Sequence, residues 1–402
     1  MYKKTCRGCN SNKLTSILDL GNSPLANNLL DNKNDTVKLY PLELMYCKDC
    51  HNCQLSYTVP ADEMFKHYLY LSSTTSTLRN HFTEAGNKYI SKYGLDKDSL
   101  VVDIGSNDGV ALIPLKEKGI PVLGVEPARN VADIAKKNGI PTINNYFNDD
   151  VVEQINEIYG KVDVLTASNM FAHSDFLEEI TKNVFRVLKQ KGTFIVEVQY
   201  LLDTLRDLTF DNIYHEHVNY WSVLSISSFF ERLGFFVVDV EHIDTHGGSI
   251  RVYVEREDTN KTENVDKFIK KELDYGLNTI ECYEDFAQRV KKAKETFLRK
   301  IKSIKDRNET VVGYGSPAKA TTTLNYFGVT SDDISYIIED NKLKWNKYLP
   351  GVTIPIQPKK FDKLPDNIII MAWNYDKEIR NNNLELIENG VKFTNIKELQ
   401  YE

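Results

Sequence analysis

The stretch that decides the fold is Leu100-Val-Val-Asp-Ile-Gly-Ser-Asn-Asp-Gly109, an apolar run that ends in a glycine-rich turn. A helical pattern follows over residues 110–118, and a second apolar strand runs from Pro121 to Glu126. Two glycines four residues apart let a backbone turn tightly and approach a ligand closely. In doubly wound sheets, ligands lie over the carboxyl ends of the strands, where an acid can bind ribose hydroxyls. The stretch therefore predicts an α/β domain with a nucleotide-type site at this turn.

The turn reads Gly-x-x-x-Gly after Asp103, and it lacks the Gly-x-Gly-x-x-Gly pattern that seats a pyrophosphate at a helix N-terminus. It resembles the S-adenosylmethionine (SAM) site of class I methyltransferases; the alternative is an unrelated strand–turn–helix unit. We expect the cofactor to contact this turn, the end of the second strand and the end of a further strand over 163–169. The residues concerned are Asp103, Gly105, Ser106, Asn107, Asp108, Gly109, Glu126, Pro127, Ser168 and Asn169.

The cysteines are concentrated at the beginning of the chain, where five of the six lie within 53 residues. Cys6-x-x-Cys9 and Cys47-x-x-Cys50 can present four thiolates to one tetrahedral Zn²⁺. A closed site of four thiolates has no open position, so the metal would be structural. The alternatives are redox or unligated thiols, and Cys53 is placed to replace Cys50 as a ligand.

Composition describes an ordinary globular chain of 402 residues, with 41% apolar and 27% charged residues. The net charge of −7 and the absence of a basic block argue against a nucleic-acid partner. The N-terminus shows no signal peptide, and no segment approaches the roughly 18 apolar residues of a membrane span. We therefore expect a cytoplasmic protein with no membrane partner, and a monomer.

Composition and pattern divide the chain into consecutive parts. We expect a zinc-binding module at 1–62, a SAM-type α/β domain at 63–258, a helical linker at 259–306 and a second Rossmann-like α/β domain at 307–402. The linker is predicted to form one or two long solvated helices without chemistry. Leu188–Gly192 is predicted to be a tight turn before a strand over 193–198.

A second strand–turn–helix pattern occupies residues 310–321, with the spacing Gly313-x-Gly315-x-x-Ala318. It is close to a dinucleotide fingerprint but lacks the third glycine. A NAD site, a site for a nucleoside diphosphate substrate and a degenerate domain without a ligand all remain open. The candidate substrate-binding residues are Gly315, Ser316, Lys319 and Asp340.

Proton-transfer groups are concentrated in Tyr214-His215-Glu216-His217. General acid–base catalysis needs a group with a pKa near the working pH, and histidine has such a pKa. Because His173 and this stretch both follow strands of the predicted sheet, we expect them to face one pocket. The alternative is a polar loop whose histidines are satisfied by backbone groups.

In this order, the parts resemble the three-domain, zinc-containing sugar-nucleotide C-methyltransferases of deoxysugar biosynthesis, over nearly the whole chain. The resemblance rests on the two cysteine pairs and on six further motifs. These are Gly21–Asn27, Tyr-x-Tyr-x-Ser-Ser at 68–73, Asp103–Gly109, Asn169-x-x-x-His173, Tyr214–Tyr220 and Gly313–Lys319. Asp175 lies just beyond His173, and we assign it no role.

The resemblance implies SAM-dependent methylation of the carbon next to the ketone of a nucleoside-diphosphate 4-keto-deoxysugar. It further implies that the nucleotide lies between the central and C-terminal domains. Active-site roles would fall on Tyr70, His173, Tyr214, Glu216 and His217, with His217 as the base. Tyr214 or His173 would stabilise the enolate, whereas Glu216 would orient a histidine or bind a sugar hydroxyl. His215 is the member of the stretch that we expect to be structural.

Two other functions stay open from the sequence. One keeps SAM but methylates oxygen or nitrogen of a sugar or small molecule. The other is a non-catalytic zinc-ribbon binding protein with degenerate nucleotide folds, which Gly105, Gly109 and Glu126 disfavour. An NAD-linked oxidoreductase is weaker still, because the turn at Gly313 lacks its third glycine.

Overall fold

The computed structural model describes residues 1–60, 63–64, 71–245 and 247–401, which form three β-sheets with flanking helices. The predicted catalytic residue Tyr70 lies outside the described residues. The α/β class predicted from the turn at Gly105 is confirmed, because two of the three sheets are built from βα units.

The first sheet contains the cysteine-rich region and one strand from the middle of the chain. Its order is β1 (Leu14–Pro24), β2 (Leu39–Cys47), β3 (Cys53–Leu55) and β9 (Asn219–Tyr220). β3 and β9 are antiparallel, with Cys53 opposite Tyr220. Backbone pairing therefore attaches the segment after His217 to the cysteine-rich region.

The second sheet has seven strands in the order β10-β11-β8-β7-β4-β5-β6. Its strands are β4 (Val101–Ile104), β5 (Val122–Val125), β6 (Thr142–Ile143), β7 (Val162–Ser168), β8 (Leu188–Gln199), β10 (Phe236–Ile243) and β11 (Ser249–Glu255). β4 to β8 are parallel, and β10 and β11 add an antiparallel hairpin. The chain winds outward from β4 and then returns to β7, so the crevice between their carboxyl ends is the expected ligand position.

Helices cover both faces of this sheet. They are α1 (Ser76–Tyr93), α2 (Ile113–Glu117), α3 (Arg129–Lys137), α4 (Asp149–Ile158), α5 (Leu177–Val187), α6 (Leu201–Arg206) and α7 (Val223–Arg232). The helix predicted over 110–118 is shorter than expected, because residues 110–112 continue the turn and Pro114 lies in the first helical turn.

The predicted tight turn at Leu188–Gly192 is wrong. The segment begins β8, with Leu188 opposite Val162 and Thr193 opposite Val164. The extra residues form an irregularity in the pairing, and a Cβ on Gly192 would lie 3.0 Å from the Val162 carbonyl oxygen. A bulge of this kind absorbs additional residues without ending the strand.

The C-terminal sheet is parallel, in the order β14-β13-β12-β15-β16. Its strands are β12 (Val311–Tyr314), β13 (Ile337–Ile338), β14 (Ile356–Gln357), β15 (Asn367–Ile370) and β16 (Lys392–Asn395). The helices are α10 (Ala318–Phe327), α11 (Asp376–Asn381) and α12 (Leu384–Glu388). The direction of winding reverses between β12 and β15, which gives this sheet its own crevice.

Two helices connect the α/β parts, α8 (Glu263–Tyr275) and α9 (Ile280–Asp306). The prediction that they are solvated is wrong for one face of α9, where Phe286, Val290 and Phe297 are fully buried. These side chains belong to a core that also contains Leu44 of the first sheet and Phe327 of α10. All three sheets therefore share one apolar core. Within the described ranges, no helix has the length and apolarity needed to cross a bilayer.

Candidate active site

The buried turn Tyr214–His217 presents His217 between two other rings. The centroid of its imidazole lies 4.1 Å from that of Tyr214 and 4.9 Å from that of His173. His217 Nδ1 lies 2.8 Å from the Asn212 carbonyl oxygen, so in the neutral ring Nδ1–H is the donor. The lone pair of the neutral ring is then on Nε2, which is the tautomer that a general base requires.

Backbone hydrogen bonds bring the two histidines together. The Ala172 carbonyl, in the loop after β7, accepts from the N–H groups of Val218 (2.8 Å) and Asn219 (3.1 Å). His173 lies in this loop, four residues before α5 begins. Burial lowers the pKa of His173 to about 4, so this ring is neutral at working pH.

His215 has a different environment from His217. It is 1% exposed, and its Nε2 lies 3.3 Å from the Tyr40 carbonyl oxygen of β2. Burial also lowers the pKa of His215 to about 4. Its ring packs against the cysteine-rich part and does not join the His173–His217 pair.

The Glu216 side chain contacts Asn27, which was not among the predicted site residues. Glu216 is 7% exposed, and its Oε1 accepts a 2.6 Å hydrogen bond from Nδ2 of Asn27. Asn27 follows β1, and the neighbouring Ala26 carbonyl accepts from Thr321 Oγ1 of α10 at 3.0 Å. A signal for Asn27 was present, because it ends the motif Gly21–Asn27 on which part of the resemblance rests.

The predicted SAM turn lies in the crevice between β4 and β7. Gly105 has φ +68°, and its N–H donates to the Val125 carbonyl at 2.8 Å. A Cβ at Gly105 would lie 2.8 Å from Cγ of Met170, so a side chain is excluded there. The Glu126 carboxylate accepts from the N–H groups of Asn107 (2.9 Å) and Ala128 (2.8 Å) and so braces the turn. Burial raises the pKa of Glu126.

Polar atoms around this turn fit a polar ligand. Ser106 Oγ and Asp108 Oδ1 are buried without a hydrogen-bond partner in the described structure. Side-chain oxygens of Asn107 and Asp108 accept from the backbone N–H groups of Ser72 and Ser73, both at 3.0 Å. The end of the Tyr-x-Tyr-x-Ser-Ser motif is therefore docked on the turn. Buried polar groups of this kind normally have partners, and a bound cofactor with polar groups would supply them.

The other predicted cofactor residues lie in or near the ends of β4, β5 and β7, and not all of them face the crevice. Asp103 accepts from Thr166 Oγ1 at 2.6 Å, and burial raises the pKa of Asp103 to about 7. Gly109 faces away, since a Cβ there would lie 2.8 Å from Cγ1 of Ile140. Ser168 ends β7, and Asn169 follows with φ +55°. The Pro127 carbonyl accepts from Asn144 Nδ2 at 3.0 Å.

The four predicted zinc ligands converge. Sγ atoms of Cys6, Cys9, Cys47 and Cys50 all lie within 4.8 Å of one another. The Cys6–Cys50 and Cys9–Cys47 Sγ pairs are 3.5 and 3.6 Å apart. Tetrahedral Zn–S bonds of about 2.3 Å place the sulfurs about 3.8 Å apart, so the cluster fits one Zn²⁺.

Cys53 does not belong to this cluster. It is fully buried in β3, within the apolar core that also contains Tyr283. Residues beside the first cysteine pair contact the loop before α5, since Arg7 Nε donates to Asp175 and Lys3 Nζ lies 2.9 Å from the same carboxylate. Asp175, to which the sequence assigned no role, therefore links the cysteine-rich module to the loop before α5.

The second glycine turn repeats the geometry of the first. Gly315 has φ +84°, and its N–H donates to the Ile338 carbonyl at 2.7 Å. The Glu339 carboxylate accepts from the N–H groups of Ser316 and Asn341, both at 2.9 Å. Glu339 thus takes the place of Glu126, whereas the predicted Asp340 is exposed and accepts from the Tyr314 hydroxyl.

A tryptophan connects the second crevice to the His217 turn. Trp373, just after β15, donates from Nε1 to Asp211 Oδ2 at 2.6 Å. Nζ of Lys319 lies 4.2 Å from the Trp373 ring centroid, and Nζ of Lys397 lies 4.7 Å from it. Burial lowers the pKa of Lys319 to about 8, although Asp211 opposes that shift. Asp211 and Lys397 had no distinguishing pattern in the sequence, whereas Trp373 ends the apolar run over residues 368–373.

The fold and the first crevice define a SAM-dependent methyltransferase. Family models agree along the chain: a zinc binding domain matches residues 6–65, a methyltransferase domain 56–240, and a C-methyltransferase C-terminal domain 244–396. The chain is 33% identical to C-methyltransferase NovU of Streptomyces niveus over 394 residues, which cover 96% of this chain and 94% of that protein. The chain belongs to the family of zinc-containing, three-domain C-methyltransferases that its motifs indicated.

Solved methyltransferases align with less than half of the chain. Magnesium protoporphyrin IX methyltransferase of Synechocystis, solved with bound SAM, shows 12% identity and a TM-score of 0.34, covering 44% of this chain and 79% of its own. A SAM-dependent methyltransferase of Clostridium acetobutylicum shows 13% identity and a TM-score of 0.36, covering 44% and 91%.

Proposed function

We propose that this enzyme methylates the carbon next to the ketone of a nucleoside-diphosphate 4-keto-deoxysugar. The observation that carries the proposal is the environment of His217. Because Nδ1–H donates to the Asn212 carbonyl, the basic lone pair of the neutral ring is on Nε2. The ring also lies beside the neutral imidazole of His173 and the phenol of Tyr214. Carbon is not nucleophilic until a proton is removed, so such a base suits C-methylation better than methylation of an amine.

The proposed mechanism assigns the proton to His217. Its Nε2 removes the proton alpha to the ketone, and the Asn212 carbonyl stabilises the imidazolium through Nδ1–H. The Tyr214 hydroxyl or neutral His173 donates to the developing enolate oxygen. SAM, when bound, would supply the methyl group on its sulfonium sulfur and would leave as the neutral thioether.

The other assignments follow from position. The residues around the first crevice would hold SAM, with Gly105 allowing close approach and Glu126 bracing the turn. The sugar nucleotide would lie toward the second crevice, with its diphosphate near Gly315, Ser316 and Lys319. Asp340 and Tyr70 keep their predicted roles in substrate binding and catalysis. Zn²⁺ on the four cysteines would have no open position and therefore no part in the chemistry.

The variant His217→Asn tests the base. An asparagine amide can still donate toward the Asn212 carbonyl, but it has no basic nitrogen. General-base catalysis contributes typically 10²–10⁴-fold, so we expect methyl transfer to fall by about 1000-fold while the SAM dissociation constant, measured by calorimetry, changes little. Turnover close to that of the wild type would remove His217 from this role.

Deuterium washout tests the type of methylation. With a substrate deuterated alpha to the ketone, the wild type should release the label and His217→Asn should retain it. A methylated product that keeps every alpha deuterium would instead indicate transfer to oxygen or nitrogen. Mass spectrometry of the product distinguishes the two results.

A further inference from the structure

Asn27 is one of the residues through which the cysteine-rich module contacts the candidate catalytic turn. Its Nδ2 lies 2.6 Å from Oε1 of Glu216, although the two residues are 189 positions apart. The donor is an amide and the acceptor is a carboxylate 7% exposed. Hydrogen bonds to charged groups are about twice as strong as neutral ones, so this contact can hold the carboxylate in one orientation.

Hydrogen bonds to the C-terminal part hold the backbone both before and after Asn27. β1 ends at Pro24, and the carbonyl of buried Ala26 accepts from Thr321 Oγ1 of α10. Further along, Leu30 and Tyr348 exchange backbone hydrogen bonds of 2.9 Å. The loop therefore spans the junction between the C-terminal part and the Glu216 turn. A donor presented by such a fixed loop is pre-organised, because its position does not depend on the substrate.

We propose that Asn27 is a positioning residue for methyl transfer, which orients the Glu216 carboxylate within the candidate active site. The zinc-binding module thus contributes a side chain to that site, in addition to its structural pairing through β3 and β9. The inference rests on the proposed function, in which Glu216 contacts a histidine or a sugar hydroxyl. Asn27 itself acts through Glu216 and takes no part in proton transfer.

A double-mutant cycle tests this coupling. Asn27→Ala should lower kcat by about 10- to 100-fold, the range expected for one hydrogen bond to a charged group. Its zinc content and SAM affinity should equal those of the wild type. Because Asn27 acts through Glu216, adding Asn27→Ala to Glu216→Ala should cause little further loss. Asn27→Gln retains the amide and should recover part of kcat.

Asn28→Ala is the matched control, since Asn28 is an exposed asparagine beside Asn27 and should leave kcat unchanged. Fully additive losses in the cycle, or an equal loss in Asn28→Ala, would overturn the inference and indicate general disturbance of the loop. Crystal structures of the wild type and Asn27→Ala provide a readout without turnover, and an unmoved Glu216 carboxylate would also overturn it. A wild type that makes no methylated sugar nucleotide would instead contradict the proposed function.

Discussion

The two glycine turns, one after β4 and one after β12, have nearly the same backbone and different electrostatic surroundings. In each, a glycine with positive φ donates its N–H to the next strand, and an acid at the end of that strand accepts from two N–H groups. Each glycine also faces the loop across its crevice, with Met170 in the first and Ala372 in the second.

The charges differ. Glu126 is buried, which raises its pKa. Burial acts on Glu339 in the same direction, but Lys344 at 3.8 Å and hydrogen bonds from Ser316 hold the pKa of Glu339 below its ordinary value. Lys319 and Lys397 add further cations beside Trp373. The cationic surroundings of the second turn would suit an anionic diphosphate, which supports the proposed position of the sugar nucleotide.

Of the variants that bear on the comparison of the two turns, the largest effect is expected at the zinc site. Cys50→Ser should lose nearly all bound zinc and reduce methyl transfer by more than about 100-fold, because structural zinc supplies much of the folding free energy of small modules. Cys53→Ser should retain zinc. Metal analysis with activity assays measures both. Loss of zinc in Cys53→Ser alone would contradict the assignment of the ligands.

Replacing each of the two acids, Glu126 and Glu339, by glutamine should show which ligand each turn binds. Glu126→Gln replaces one of the two carboxylate oxygens that accept from the Asn107 and Ala128 N–H groups by an amide NH₂, so we expect SAM to bind about 10- to 100-fold more weakly. Glu339→Gln should weaken the sugar nucleotide over the same range and leave SAM binding unchanged. Calorimetry with each ligand checks both variants. Weakening of the same ligand by both variants would mean that the two turns form one site.

The smallest expected effect is a pH dependence confined to the second turn. Lys319, with its pKa near 8, is cationic at lower pH and neutral at higher pH, so its attraction for a diphosphate is lost as the pH rises through that value. Between about pH 7 and pH 9, the affinity for the sugar nucleotide should fall about tenfold, while SAM affinity should not follow this titration.

Lys319→Arg provides the comparison, because arginine stays protonated over this range and should remove the pH dependence. The groups around Lys319 are Asp211, Lys397 and Trp373. Persistence of the same tenfold change in Lys319→Arg would assign the titration to Lys397, whose pKa burial also lowers.

Local sequence patterns predicted the individual turns and cysteine pairs of this structure well. The turn at Gly105, the acid Glu126 and the pairing of two cysteine pairs were readable because each depends on neighbouring residues or fixed spacing. The turn at Leu188–Gly192 was mispredicted, because a glycine in a bulge and a glycine in a turn give the same local signal. The buried face of α9 was mispredicted, because apolar residues at helical spacing indicate an apolar face but not which part of the chain covers it.

What the sequence by itself determined is the set of parts and their chemistry: a four-thiolate module, two strand–glycine–helix turns, and a segment rich in proton-transfer groups. Only the tertiary structure decided how that segment is held. Trp373 binds Asp211, the Ala172 carbonyl holds the residues after His217, and Asn27 binds Glu216. These contacts join residues far apart in the chain, and a shared apolar core positions them. Spacing along one chain carries no information about such distances, so the partners of the candidate catalytic turn had to come from the fold.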